Sequence, residues 1–113
     1  YFIDGMKMTV LPEVRDAIIA IHQQNKPIAA MCIAPVMLAN VLKDITITLG
    51  DDNCGPAKDI LEMGAHHKAT ANGEYVADIK NKIFTTPCFM LDATLKDIYE
   101  DAYNMVEAMC ASC

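Results

Sequence analysis

The ten residues Lys26-Pro27-Ile28-Ala29-Ala30-Met31-Cys32-Ile33-Ala34-Pro35 decide how the rest of the chain is interpreted. The run from Ile28 to Met31 has no polar alternation, which is the pattern of a strand covered on both faces in a parallel sheet. Pro35 sits where the first turn of a helix tolerates proline, so Cys32 falls on the turn between a strand and a helix. That position places its sulfur near the positive end of a helix and favours a nucleophilic thiolate. A buried structural thiol is the alternative that these residues leave open.

The composition is that of one domain that can bury a core. The chain has 113 residues, of which 53% are hydrophobic and 21% charged, and its formal net charge is −6. No basic run is present, which argues against nucleic acid or an anionic membrane as the main partner. The apolar runs are too short to span a bilayer. Five cysteines at irregular spacing make a poor disulfide framework and are typical of a reducing compartment.

Hydrophobic periodicity and turn residues predict alternating helices and short strands. The predicted helices run from residue 11 to before residue 25 and over 36–42, 56–63 and about 92–109. The predicted strands are 27–31, 45–49, 65–70, 75–79 and 82–86, with a tight turn at Asn72-Gly73. The last helix is expected to bury the residues Leu95, Ile98, Ala102, Met105, Val106 and Met109. This order predicts part of an α/β sandwich that lacks parallel strands before its first helix.

A nucleophilic cysteine usually works with a base or an acid, and three places offer one. Asp51 and Asp52 follow a strand at its carboxyl end, where open α/β sheets place their ligand crevice. His66 and His67 are adjacent on a predicted strand, so at most one of them faces a site. Glu74 is a weaker candidate. Solvated surface positions are the simpler interpretation of all five residues.

Two backbone and strand-end features complete the candidate site. The backbone N–H of Ile33, directly after the cysteine, can serve as an oxyanion donor. Cys88 follows Thr86 and Pro87 at the end of another predicted strand, where it would line the same crevice. A role in packing explains Cys88 equally well. Neither a metal site nor a cofactor site is expected from the sequence.

From Lys26 through Pro35 the sequence closely resembles the ElbB-like family of isoprenoid-biosynthesis glyoxalases. This family belongs to the PfpI superfamily, which is related to the class I glutamine amidotransferase fold. The match continues, in order, through these segments: Thr46-Ile47-Thr48-Leu49-Gly50, Met63-Gly64-Ala65 with His67, Asn81-Lys82-Ile83, Thr85-Thr86-Pro87 and Met90-Leu91. The resemblance implies a flavodoxin-like three-layer sandwich with a mostly parallel sheet, incomplete because its N-terminal strands are missing. Residues 1–113 would then form the C-terminal part of a single domain.

The resemblance also implies an activity and a site. The family is associated with glyoxalase activity that needs neither glutathione nor metal and converts glyoxal or methylglyoxal to glycolate or lactate. Cys32 would be the catalytic nucleophile and the Ile33 N–H an oxyanion donor. The candidate lining residues are Asp51, His67, Thr86, Pro87 and Cys88. The expected partner is a small dicarbonyl substrate, with a homodimer as the assembly considered, and no nucleic acid or membrane.

The chain departs from the family pattern in ways that limit its own activity. The glycine-rich oxyanion segment and the acidic partner of the cysteine are expected before Tyr1. Where the superfamily often has a histidine after the next strand, this chain has Asp51 and Asp52, and Ile33 replaces a histidine of several relatives. The 113 residues alone are therefore expected to be inactive, and only the full-length parent is expected to be an enzyme. A redox-sensing or stress-response binding protein is the alternative, whereas an amidotransferase is disfavoured because no His-x-Glu pair follows the cysteine. The expected location is the cytoplasm, or the mitochondrion of a eukaryote.

Overall fold

A computed structural model describes residue 1 and residues 5–112 and gives the chain four helices and five short strands within that range. The helices are α1 (Pro12–Gln23), α2 (Pro35–Leu42), α3 (Gly55–Glu62) and α4 (Leu95–Ala111). The strands are β1 (Ile28–Met31), β2 (Thr46–Ile47), β3 (His66–His67), β4 (Val76–Asp78) and β5 (Ile83–Thr86). Short 3₁₀ turns cover Gly5–Lys7 and Cys88–Met90. No helix in the described part of the chain combines the length and the apolarity needed to cross a membrane.

The strands form two small sheets that lie side by side. In the first, β5 is central, pairing in parallel with β1 and antiparallel with β4. In the second, β2 and β3 pair in parallel. Side chains join the two sheets, because the Thr48 N–H donates to Thr85 Oγ1 at 3.0 Å and the Thr46 N–H donates to Asp78 Oδ2 at 2.8 Å. The predicted α/β fold with a mostly parallel, incomplete sheet is confirmed.

The helices cover the sheet from both sides, and β5 shows why. Successive side chains of a strand point to opposite faces. Ile83 belongs to the main apolar core, which it shares with β2 and with helices α1, α2 and α3. Phe84 is equally buried and points the other way, toward the side on which α4 packs against β1 and β5. Burying both faces makes β5 the most enclosed strand, and its carboxyl end lies beside that of β1.

The predicted tight turn at Asn72-Gly73 is present, but the segments on its two sides do not pair with each other. The segment before the turn stays with β2, since the N–H of Lys68 donates to Ile47 O and that of Thr70 donates to Gly50 O, both at 3.0 Å. The segment after the turn pairs with β5 instead. The turn therefore carries the chain from one sheet to the other. The second and third predicted strands are also longer than β2 and β3.

Two predictions of burial are wrong as well. The residues of β1 are half-buried, because only β5 pairs with it among the described residues. On α4, Leu95 and Val106 are exposed, although the sequence placed both in the buried face. The residues that α4 buries fully are Met105 and an acidic residue, Asp101.

Candidate functional site

Cys32 occupies the predicted turn between a strand and a helix. Its N–H donates to Thr86 O at 3.1 Å, which extends the parallel ladder one residue beyond β1. Its φ angle is then +62°, and α2 begins three residues later at Pro35. A non-glycine residue held at positive φ stores about 1–3 kcal/mol of strain, and such residues concentrate at functional sites. The strand, sharp turn and helix have the order of a nucleophile elbow.

The backbone after Cys32 offers a hydrogen-bond donor. Its neighbours are engaged, because the Ala34 N–H donates to Met31 O at 3.2 Å and the Val36 N–H donates to Ile33 O at 3.0 Å. Within the described ranges, the Ile33 N–H makes no hydrogen bond. A free N–H directly after a nucleophile is the arrangement that stabilises an oxyanion. The Ile33 side chain lines an apolar cavity of about 380 Å³ beside Met8 and Leu11.

Thr86, Pro87 and Cys88 continue β5 beside Cys32, as the sequence predicted. Thr86 is fully buried and its hydroxyl donates to Glu74 O at 2.8 Å. This hydrogen bond fixes the segment that leads into β4. Cys88 is 1% exposed and has a φ of +48°. The Cys32 N–H lies close enough to the Cys88 sulfur to lower the pKa of the Cys88 thiol, but other effects outweigh it. Burial first, then the nearby charges of Asp101 and Cys32, raise the pKa of the Cys88 thiol to about 11.

Asp101 is a buried acid beside Cys88 that the sequence analysis did not single out. Its side chain is 0% exposed, and its Oδ1 accepts the Gly73 N–H at 2.5 Å. Cys88 faces the carboxylate, yet no group in the described part of the chain makes a hydrogen bond of good geometry to Oδ2. Burial raises the pKa of the Asp101 carboxyl, against the opposing effect of the Gly73 and Cys88 N–H groups. The sequence held a signal of this burial, because Asp101 lies three residues after Ile98 and four before Met105, within the apolar stripe of the helix.

Asp51 lines an open cavity of about 570 Å³ together with Glu74 and Asp92, and Cys32 is not among the lining residues. Its carboxylate accepts the Asn53 N–H at 2.8 Å and so stabilises its own turn. The loop that carries Asp51 nevertheless packs on the end of β5. At Gly50, with a φ of +97°, a Cβ atom would lie 2.8 Å from Leu91.

His67 is committed to holding that loop. Its Nε2 accepts the Leu49 N–H at 2.9 Å, so Nδ1 carries the hydrogen and donates to Asp52 Oδ1 at 2.7 Å. Only 2% of the His67 side chain is exposed, whereas His66 points to solvent and pairs with Asp44. The two histidines face opposite sides, as predicted. Because both ring nitrogens of His67 are occupied, the structure does not offer it as a base for Cys32.

Comparison with known proteins shows what this chain is similar to. No family model matches the chain. It is 35% identical to the human glutamine amidotransferase-like class 1 domain-containing protein 3, mitochondrial, over 94% of the chain and 42% of that protein. A solved structure, an isoprenoid biosynthesis protein with an amidotransferase-like domain from Ehrlichia chaffeensis, matches with a TM-score of 0.85 and 29% identity. The chain is homologous to part of an ElbB-like protein.

Other relatives agree on the family and on the extent of the match. The rat ES1 protein homolog, mitochondrial, is 33% identical over 95% of the chain and 43% of its own length. The Ehrlichia structure is matched over 92% of this chain and 49% of that one. The chain thus spans less than half the length of the relatives that it matches. These relatives confirm the resemblance to the amidotransferase-like, ElbB-like proteins and the fold that it implied.

Proposed function

We propose that a protein carrying this ElbB-like chain at the length of its relatives converts glyoxal or methylglyoxal to the corresponding hydroxy acid, with Cys32 as the nucleophile. One observation carries the proposal: Cys32 sits at φ +62° on a strand-to-helix turn, and the next N–H is free. A nucleophile and an oxyanion donor in adjacent residues suit addition to a carbonyl group.

The steps follow from the chemistry of an α-oxoaldehyde. The Cys32 sulfur adds to the aldehyde carbon, and the carbonyl oxygen becomes the alkoxide of a hemithioacetal, which the Ile33 N–H stabilises. A base removes the former aldehyde proton to form an enediol, and a proton is returned to the neighbouring carbon. This isomerisation leaves a thioester of the hydroxy acid on Cys32. Water hydrolyses the thioester, so that methylglyoxal and water yield lactate and the free thiol.

The residues described here supply the addition step and not the proton shuttle. His67 has both ring nitrogens occupied, and Asp51 lines a separate cavity. We assign the shuttle to the part of the relatives' length that this chain does not span. For the same reason the 113 residues alone should show no turnover. The reaction needs no metal or cofactor in this proposal.

The cellular location is proposed from the relatives. The human and rat proteins are both named as mitochondrial. These names favour the mitochondrion over the cytoplasm when the chain comes from a eukaryote. The only partner that the proposal requires is the small dicarbonyl substrate.

The test is turnover of methylglyoxal by the protein at its relatives' length, followed as lactate formed. Cys32→Ser should lower kcat by at least about 10³-fold, because a serine hydroxyl without an activating base is a poor nucleophile at neutral pH. Cys54→Ser is the matched control, since Cys54 is also a half-buried free cysteine and lies at the start of α3. Unchanged turnover in Cys32→Ser would overturn the proposal.

A further inference from the structure

Two cysteines end neighbouring strands at one edge of the sheet. Met31 is paired with Thr86, so Cys32 comes directly after β1, whereas Cys88 comes after β5 and Pro87, in the 3₁₀ turn. Neighbouring parallel strands lie about 4.8 Å apart, and a disulfide joins Cα atoms about 4.4–6.8 Å apart, so two segments that leave adjacent strand ends can bring their cysteines within that range. The Cys32 N–H approaches the Cys88 sulfur. Within Cys32, only Cα and Cβ separate the backbone nitrogen from the sulfur. The sulfurs of Cys32 and Cys88 therefore both lie close to the Cys32 nitrogen.

A proton acceptor stands next to the second thiol. Asp101 Oδ2 is buried and without a hydrogen-bond partner of good geometry, and the carboxylate faces the Cys88 thiol. A buried carboxylate oxygen without a hydrogen-bond partner lowers the stability of the fold by about 1–3 kcal/mol, which calls for a functional explanation. The dicarbonyl reaction makes no use of either Cys88 or Asp101.

We propose that Cys32 and Cys88 form a reversible disulfide when a hydroperoxide oxidises Cys32, and that Asp101 accepts the proton of the Cys88 thiol in that reaction. Cys32 is half-buried and reachable, whereas Cys88 is enclosed. Cys32 is therefore the thiol that meets the oxidant, and Cys88 is the resolving thiol. The inference rests on the proposed function in one respect, which is that Cys32 is nucleophilic.

The steps balance in atoms and electrons. With hydrogen peroxide as the hydroperoxide, the Cys32 thiolate attacks one oxygen, the O–O bond breaks, and the products are a sulfenic acid and hydroxide, which takes up a proton to become water. The Cys88 sulfur then attacks the Cys32 sulfur while its proton passes to Asp101, and the S–O bond breaks. The departing hydroxide takes a proton and leaves as the second water. Two thiols are oxidised to a disulfide as one hydroperoxide is reduced, and Asp101 afterwards releases its proton to solvent.

The other cysteines that the structure describes lack this arrangement. Cys54 points toward Leu49 O at 4.0 Å, and Cys110 is exposed near the end of α4. Asp101, the buried carboxylate of the described range, lies beside Cys88. A pairing that depends on the fold should therefore select Cys32 and Cys88 out of five cysteines.

Mass mapping of the purified chain tests the pairing. The reduced protein is treated with one equivalent of hydrogen peroxide, blocked with N-ethylmaleimide and digested with trypsin without reduction. Trypsin places the cysteines on separate peptides, with Cys32 in 16–43, Cys54 in 44–58, Cys88 in 83–96 and the last two in 97–113. The dominant cross-link should join 16–43 to 83–96. In concentrated urea the dominant disulfide should instead lie within 97–113, because Cys110 and Cys113 are close in sequence and the shortest loop closes most easily.

Two variants test the assigned roles. Cys88→Ser should leave Cys32 to accumulate as sulfinic acid, and Cys54→Ser, its matched control, should not. Asp101→Asn should form sulfenic acid at the wild-type rate, measured by trapping with dimedone, but form the disulfide about ten-fold more slowly or worse. Burial still keeps the Cys88 thiol protonated in that variant, so its resolution rate should rise about ten-fold per pH unit as thiolate appears.

The contrary results are specific. A native cross-link pattern equal to that in urea, or a dominant pair other than Cys32–Cys88, would overturn the disulfide. A resolution rate in Asp101→Asn equal to or faster than wild type would overturn the role of Asp101. The mapping uses no dicarbonyl, so it gives its answer whether or not the turnover assay supports the proposed function.

Discussion

Replacing Asp101 by asparagine should stabilise the protein at neutral pH, although it changes a fully buried residue. Asparagine keeps an oxygen for the Gly73 N–H and removes a buried charge whose Oδ2 has no partner of good geometry. Burying a charge costs more than burying a neutral amide, and we expect the loss of the charge to recover about 1–2 kcal/mol. In a chain of 113 residues this gain corresponds to a rise in Tm of about 4–8 °C.

The gain should depend on pH with a definite sign. Burial holds the pKa of Asp101 in the folded protein above its ordinary value of 3.8. A carboxyl group with a raised pKa binds its proton more tightly when folded, so wild type loses stability as the pH rises from the unfolded-state value through the folded-state value. The asparagine variant has no such loss. The difference in Tm between the two proteins should therefore be largest at neutral pH and shrink below pH 4.

Thermal unfolding followed by circular dichroism at several pH values measures this difference. Asp16→Asn is the control, since Asp16 is an exposed aspartate of α1 and its replacement changes the net charge equally. The control should shift Tm by less than about 2 °C, as exposed substitutions usually do. A lower Tm for Asp101→Asn at neutral pH, or a shift that is the same at every pH, would refute the account of Asp101 as a buried and poorly compensated charge.

Three further changes test how the site is supported. His67→Leu should lower the free energy of unfolding, measured in urea titrations, by about 1–3 kcal/mol, because the Leu49 N–H loses its hydrogen-bond partner. His66→Leu should lower it by less than about 1 kcal/mol. Equal losses would contradict the assignment of His67 as the residue that holds the loop. Gly50→Ala should destabilise by about 1–3 kcal/mol through its positive φ and its contact with Leu91, and Leu91→Ala should recover part of that loss. Cys32→Gly should unfold at a higher temperature than Cys32→Ala, by the equivalent of about 1 kcal/mol, since glycine relieves the strained φ; an equal Tm would argue against stored strain at this turn.

The sequence predicted the parts of the fold that depend on local signals. The junction at Cys32 follows from an apolar run and a proline, and both are local. The positions of the helices follow from local hydrophobic periodicity, and the opposite orientation of His66 and His67 follows from their being adjacent on a strand. Strand pairing is not local, because it depends on contacts between distant segments. The tight turn at Asn72-Gly73 could therefore be predicted, whereas the pairing of β4 with β5 could not.

The candidate site was predicted in part for the same reason. Cys88 was expected near Cys32, and the parallel pairing of β1 with β5 brings it there. Asp101 was missed, since its burial follows from the way α4 packs against the sheet. Asp51 and His67 make hydrogen bonds within their own loop, and these could be seen only in three dimensions.

The central claim is that Cys32 is the reactive thiol of this fold, and site-resolved alkylation tests it most directly. The folded protein is treated with a limiting amount of iodoacetamide, and the label on each tryptic peptide is followed over time, with and without methylglyoxal. The account predicts that Cys32 is labelled faster than Cys54 and Cys88, and faster than the more exposed Cys110, and that methylglyoxal slows its labelling. Labelling of Cys110 before Cys32, with no protection by methylglyoxal, would contradict the claim.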